Sequence, residues 1–178
     1  MAQHWQIRAF TPADFPAIMR LEELVFGAAG EDTLGAYYVR LCCEFFPDTC
    51  FVATADGRTA GYVLCFVRGR EAYCTTLAVA PEFQGGRVAW RLVRTLIAAI
   101  ASRVDSCWFT VKEENHAARA LHAALGAREL EVRRDFYGPG DDRIVSRIDR
   151  ASFEALRSRL EKLKLVPPAA PPILKDVA

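Results

Sequence analysis

The chain has 178 residues, 52% of them hydrophobic, with 23 basic against 22 acidic residues for a formal charge of +1. That length and apolar content suit one globular domain with a sizeable core, and the charge balance gives no reason to expect binding to nucleic acid or to a membrane surface. No apolar run approaches the roughly 20 residues a membrane helix needs, and the opening MAQHWQIRAF lacks a signal peptide's charged start and apolar stretch, so a cytoplasmic protein is expected.

His4 to Phe10 alternates, with Trp5, Ile7 and Ala9 on one face, and reads as a first strand. Thr11-Pro12 predicts an N-cap with proline at the first helical position. Phe15, Ile18, Leu21 and Val25 follow at helical spacing, and Gly27 ends that helix. A second helix is predicted over about 33–45, stopped by Pro47. CFVAT (50–54) and TAGYVLCFVR (59–68) flank Asp56-Gly57, a hairpin turn. Residues 71–80 form the fourth strand, and Val88 to Ile100 is apolar and long enough for a buried helix. SCWFTV (106–111) is a fifth strand. The alanine-rich run from Asn115 to Leu125 has Asn115 placed to cap it and Gly126 placed to stop it. Strands are predicted at about 128–136 and 143–148, joined by YGPGDD. A last helix, 152–165, carries Phe153, Leu156, Leu160 and Leu163, too short a repeat for a coiled coil.

The order is β-α-α-β-β-β-α-β-α-β-β with an appended helix. It predicts an α/β (α+β) domain whose mixed, mostly antiparallel sheet of about seven strands is flanked by helices. The expected organisation is a single domain over 1–150, an appended helix over 151–165 and a proline-rich, poorly ordered tail over 166–178. The six cysteines, at 42, 43, 50, 65, 74 and 107, contain no C-x-x-C pair and several lie in apolar segments. They read as reduced core thiols rather than a disulfide framework or a metal site.

PEFQGGRVAW (81–90) joins the fourth strand to the long apolar helix. A helix N-terminus exposes unpaired N–H groups and a partial positive charge, and small residues let a pyrophosphate approach them. A glycine pair is equally at home in a plain turn. Neither G-x-G-x-x-G nor G-x-x-x-x-G-K-[ST] is present. The neighbouring residues add to this. Leu77-Ala78-Val79-Ala80-Pro81 followed by Gln84-Gly85-Gly86-Arg87-Val88-Ala89, and then Asn115, Ala118, Leu121, His122 and Gly126, resemble the two motifs of the GNAT superfamily of acetyl-CoA-dependent N-acetyltransferases, L-x-V-x-P with [QR]-x-x-G-x-[GA] and N-x-x-A-x-x-L-Y-x-x-x-G-F. The resemblance covers about residues 5 to 148. Within the family, RRDFYGPGDDRIV (133–145) resembles the end of the ribosomal-protein and protein N-terminal alanine acetyltransferases.

The resemblance implies direct attack of a neutral amine on the thioester of acetyl-CoA within a ternary complex, with no metal. It implies that main-chain groups of Leu77, Ala78 and Val79 hold the pantetheine arm. Gln84, Gly85, Gly86, Arg87, Val88, Ala89 and Trp90 would hold the pyrophosphate, and Asn115 would bond the arm. Three positions depart from the family pattern. Arg87 stands where the family has glycine; if that position needs a positive φ, Gly86 is expected to supply the flexibility instead. His122 stands where a tyrosine usually protonates the leaving thiolate, with Tyr137 a possible substitute donor and a packed or surface role the alternative for each. Thr110 stands where the N-terminal-acetylating subgroup carries a glutamate base, and cannot itself serve as a base. Glu71, Glu22, Glu23, Glu113 and Glu114 are the replacements considered, each also readable as a solvated charge, and a water chain is the further route for the proton.

The acceptor is expected to be a protein or peptide amine or a small-molecule amine, handled by a monomer or homodimer. The contrasting expectation, motivated by Arg87, His122 and Thr110, is a catalytically weak CoA-binding domain with a regulatory role.

Overall fold

A computed structural model describes residues 4–162. Seven strands form one sheet: β1 (Trp5–Ala9), β2 (Phe51–Ala55), β3 (Arg58–Arg68), β4 (Glu71–Val79), β5 (Ser106–Val111), β6 (Arg128–Arg133) and β7 (Arg143–Ile148). Among the described residues five α-helices flank it: α1 (Phe15–Val25), α2 (Ala36–Phe45), α3 (Val88–Ile100), α4 (His116–Ala124) and α5 (Arg150–Lys162). The order across the sheet is β1-β2-β3-β4-β5-β7-β6. Only β4 and β5 run parallel, joined by the α3 crossover; the other neighbours are antiparallel. This is the predicted mixed, mostly antiparallel α/β sheet.

Each face carries its own core. On one side α3 and α5 pack Leu92, Leu96, Ile100, Phe153 and Leu156 against Val63, Cys107 and Phe109. On the other, α1 and α2 pack Ile18, Leu21 and Val39 against Val52, Tyr62, Leu64 and Ala78. All six cysteines are free and buried in these layers. Among the described residues no helix is long and apolar enough to cross a membrane.

Most elements fall where the pattern placed them, and α3 and β5 match to the residue. Asp56 and Gly57 turn the β2–β3 hairpin with φ of 50° and 79°, the conformation a two-residue turn of this hand requires. Three boundaries differ for identifiable reasons. α2 begins at Ala36, not 33, because the Leu34 N–H is drawn to the Glu22 carboxylate at 2.7 Å and the extended Gly35 becomes the N-cap. β6 ends at Arg133, not 136, because Asp135 takes a positive φ of 50° and its carboxylate accepts from the Gly140 N–H. α5 begins at Arg150 because Asp149 accepts from the Ser152 N–H at 2.9 Å and so caps it. Leu163 to Leu165 of that predicted helix, and the proline-rich tail, lie outside the described residues.

Candidate active site

The site is built on one irregularity in β4. Against β3 the register runs Val63↔Leu77, Leu64↔Thr76, then Cys65↔Cys74, so Thr75 is an extra residue, a β-bulge. Against β5 the pairing runs from Glu71↔Ser106 to Cys74↔Phe109 and stops there. From Thr75 to Val79 the strand has β3 on one side and no strand on the other, among the described residues. A bulge bends its strand and breaks the local ladder. Here it opens a cleft between two parallel strands and leaves a row of main-chain donors and acceptors facing it. Leu77, Ala78 and Val79 all lie along this open edge.

The cleft leads to the glycine loop. A short 3-10 turn, Pro81–Phe83, is followed by Gln84, whose side-chain amide donates to the Val79 carbonyl at 3.0 Å and ties the loop back to the strand end. Gly85 takes φ of +71°. Gly86 has no positive φ, and Arg87 sits at φ −92°, ψ 6° without strain. The flexibility expected at Gly86 is therefore supplied by Gly85, which is what lets an arginine stand at the next position but one. Arg87 is the N-cap of α3 and makes no side-chain cap there; the ladder starts with the Arg91 N–H donating to the Arg87 carbonyl at 2.9 Å. The N–H groups of Val88, Ala89 and Trp90 precede that ladder and remain available to an anion. The Val88 side chain is buried in the core and Trp90 packs on it, so these positions contribute main chain to the loop. Asn115 caps α4, its carbonyl oxygen accepting from the Ala118 N–H at 3.0 Å. That leaves its amide hydrogens free to donate.

The predicted catalytic residues separate onto different faces. Thr110 and Phe109 are successive residues of β5 and so point to opposite sides. On the α3 side, His122 packs its ring on Phe109 at 4.5 Å between centroids, and its Nδ1 is 3.1 Å from the Ser146 hydroxyl. Burial pushes its pKa down to about 4, with the Glu129 carboxylate opposing more weakly. At neutral pH this imidazole is uncharged.

On the other side, Tyr73 of β4 is hydrogen-bonded to Thr110 at 2.9 Å and to Tyr137, from the β6–β7 connection, at 2.6 Å. Tyr38 of α2 joins the Thr75 hydroxyl at 2.9 Å on the bulge itself. A cavity of about 330 Å³ lies here, lined by Tyr73, Trp108, Thr110, Arg133, Phe136 and Val145. Burial, the largest influence, raises the Tyr73 phenol above its ordinary value.

The five glutamates considered as bases lie outside this cavity lining. Glu71 is exposed at the closed end of β4, beside the β3–β4 turn. Glu22 is 1% exposed and holds the Leu34 N–H, which fixes the α1–α2 connection. Glu23 is exposed, with its carboxylate over Gly27, and Glu113 and Glu114 are exposed in the turn before α4. Sequence reasoning missed Tyr73, Tyr38 and the bulge at Thr75. The one available sign was Tyr73 two residues before TTLAV, on the same strand as the expected main-chain site.

Residues 15–127 match the model of the acetyltransferase (GNAT) family. A ribosomal protein bS18 alanine N-acetyltransferase of Salmonella typhimurium is 36% identical over 85 residues, which cover 47% of this chain and 57% of that protein. An L-2,4-diaminobutyric acid acetyltransferase of Nocardia farcinica is 31% identical over 101 residues, covering 54% of this chain and 52% of that protein. Each match thus spans little more than half of the relative's own length. The crystal structure of the ribosomal-protein-S18-alanine N-acetyltransferase of Escherichia coli superposes with a TM-score of 0.68 at 24% identity, covering 82% of this chain and 94% of that one, and so shares the fold.

Proposed function

The chain belongs to the acetyltransferase (GNAT) family, and from that premise we propose that it is an N-acetyltransferase that moves the acetyl group of acetyl-CoA onto a primary amine by direct attack. The observation that carries this reading is the unpaired edge of β4 from Thr75 to Val79, running straight into an uncapped helix N-terminus. An extended amide-bearing arm matches the first feature by strand-like pairing, and a pyrophosphate matches the second. Acetyl-CoA has both. Arg87 and Arg91, on the first turn of α3, add positive charge beside the phosphates.

The chain's own groups divide the work. Leu77 to Val79 align the arm, and the amides of Gly85 to Trp90 hold its charged end. Asn115 donates to the arm from the start of α4. The cavity under Tyr73 and Thr110 admits the acceptor, whose nitrogen reaches the thioester at the mouth of the cleft. The sulfur leaves and must regain a proton. Of the two donors expected, His122 does not suit this. A neutral imidazole is a poor proton donor, and His122 faces the opposite side of the sheet from the cavity. Glu71 receives no role.

The acceptor is a protein or peptide amine or a small-molecule amine, the two kinds that the relatives' names describe. Purified protein given acetyl-CoA and a panel containing alanine-initiated peptides and L-2,4-diaminobutyrate should release free thiol with one of them. Binding of acetyl-CoA without thiol release on any amine would favour the weak CoA-binding domain instead.

A further inference from the structure

The cavity holds no carboxylate among the residues that line it, yet the acceptor must lose a proton to react. What it holds are hydroxyl groups in a line. Thr110 Oγ1 is 2.9 Å from Tyr73 Oη, and Tyr73 Oη is 2.6 Å from Tyr137 Oη. The three residues come from β5, β4 and the β6–β7 connection, so the fold assembles the line from distant parts of the chain. Its inner end, Thr110, follows the last β4–β5 pair and so stands at the mouth of the cleft. Its outer end, Tyr137, is 57% exposed and meets water. The charged groups around the line are already committed: Arg143 stacks on the Tyr137 ring at 5.1 Å and is held by Asp141, and Arg133, at the cavity wall, is held by Glu131 at 2.7 Å. Cys74, beside Tyr73 in sequence, is a buried thiol that burial keeps protonated.

We propose that Thr110, Tyr73 and Tyr137 form a hydroxyl relay that carries the acceptor amine's proton from the cleft to solvent. It rests on the acetyltransferase reading above and supplies the proton path which that reading lacks. A hydroxyl gives one proton as it takes another, so the line conducts without holding a charge. The amine N–H donates to Thr110 Oγ1, Thr110 to Tyr73 Oη, Tyr73 to Tyr137 Oη, and Tyr137 to water. As the nitrogen lone pair forms the N–C bond to the thioester carbonyl, the nitrogen becomes positively charged; its N–H bond then breaks and leaves its electron pair on nitrogen, each oxygen exchanges one O–H bond for another, and the water gains the proton. Burial raises the Tyr73 phenol, which keeps phenolate from accumulating midway. Thr110 touches the amine and is the catalytic residue; Tyr73 and Tyr137 act through it.

The test uses the full chain with acetyl-CoA and the best amine of the panel. Tyr73→Phe, which keeps the ring, should lower kcat by about a hundredfold, the lower range of general acid–base contributions, with the amine KM nearly unchanged. Its rate should climb with pH where the wild type is flat, and added imidazole should restore part of it. Thr110→Val should behave alike, and Thr110→Ser should keep most of the activity. Tyr137→Phe should fall less, because water can take its place. An unchanged kcat in Tyr73→Phe across the pH range overturns the relay. So does a loss that is uniform in pH and indifferent to imidazole, which would mark a packing role. A wild type that binds no acetyl-CoA and turns over no amine would instead remove the acetyltransferase reading, and the relay with it.

Discussion

β4 is two strands in one. From Glu71 to Cys74 it is laced on both sides, to β3 and to β5; from Thr75 to Val79 it is laced on one side only. Composition does not separate the halves, since both are short, apolar and β-prone. The difference is one extra residue at the boundary. The laced half orients side chains: it points Tyr73 to one face and Cys74 to the other. The open half offers main chain. An open strand edge and the Tyr73–Thr110–Tyr137 hydroxyl line are thereby placed side by side, at the spacing of adjacent residues.

Removing the extra residue is the most direct way to break this contrast. Deleting Thr75 would let Cys74↔Cys65 be followed directly by Thr76↔Leu64, a regular ladder in which every remaining side chain keeps its face. The variant should fold, losing only the Tyr38–Thr75 hydrogen bond, worth about 1 kcal/mol. Without the bend, β4 should stay alongside β5 and the cleft should close. The expected result is a folded protein whose melting temperature no longer responds to millimolar acetyl-CoA. A full response in the deletion variant would show that the bulge does not make the site.

The laced half makes a second claim, through the face it turns to α4. His122 stacks on Phe109, the last β5 residue paired to β4, and is held neutral there with a pKa of about 4. A histidine whose folded pKa lies below its unfolded value of about 6.5 stabilises the fold fully above that value, and the contribution is lost as pH falls toward the folded pKa. At about 1.4 kcal/mol per pH unit, the loss between the two values is on the order of 3 kcal/mol. His122→Phe should be markedly less acid-sensitive than the wild type when denaturant midpoints are compared at pH 7 and pH 4.5. It should also retain acetyl transfer, since the imidazole is assigned a packing role. Parallel pH curves for the two proteins, or a collapse of kcat in the variant, would return His122 to the mechanism.

Ligand should erase the contrast rather than break it. Acetyl-CoA at a hundredfold excess over its dissociation constant should stabilise the fold by about 2.7 kcal/mol. Amide exchange gives the finer reading. The N–H groups on the open side of Thr75 to Val79 should slow on binding, together with those of Gly85 to Trp90, while Glu71 to Cys74 should change little because they are already paired. Protection spread evenly along β4 would mean that the arm does not lie on its open edge.

What the sequence disclosed and what it hid divide along the same line. Local pattern sufficed for α3, whose apolar residues Val88, Leu92, Val93, Leu96, Ile97 and Ile100 recur at helical spacing, and for the strand, loop and helix that carry the family likeness. The bulge was not legible, because nothing in TTLAV marks which residue is extra; the pairing with β3 decides it. The Tyr73–Thr110–Tyr137 line was not legible either, since its members lie 37 and 64 residues apart and meet only through the sheet. Likewise the start of α2 depends on a carboxylate of α1, which no local propensity reports. His122 was placed correctly on its helix, but its charge state depends on burial against Phe109, a tertiary property.

The smallest predicted effect separates two adjacent glycines that look interchangeable in the sequence. Gly85 holds φ of +71° with open space where a Cβ would stand. Alanine there meets no atom but must take the left-handed conformation, at roughly 1–2 kcal/mol. Gly86 has an ordinary φ, and a Cβ would stand 3.3 Å from the Phe83 carbonyl oxygen, a contact relieved by a shift of a few tenths of an ångström. Gly86→Ala also lowers the entropy of the unfolded chain, which offsets part of that cost. Gly85→Ala should therefore lower stability by about 1 kcal/mol, while Gly86→Ala stays within about 0.5 kcal/mol of the wild type. Acetyl-CoA affinity should follow the same order, because the turn at Gly85 aims the amides of Val88 to Trp90. Chemical denaturation and ligand titration of the two variants side by side provide the measurement. Equal losses at both positions would show that the loop tolerates an exchange of roles between its glycines, and that Gly85 is not the hinge on which the open edge turns into the helix.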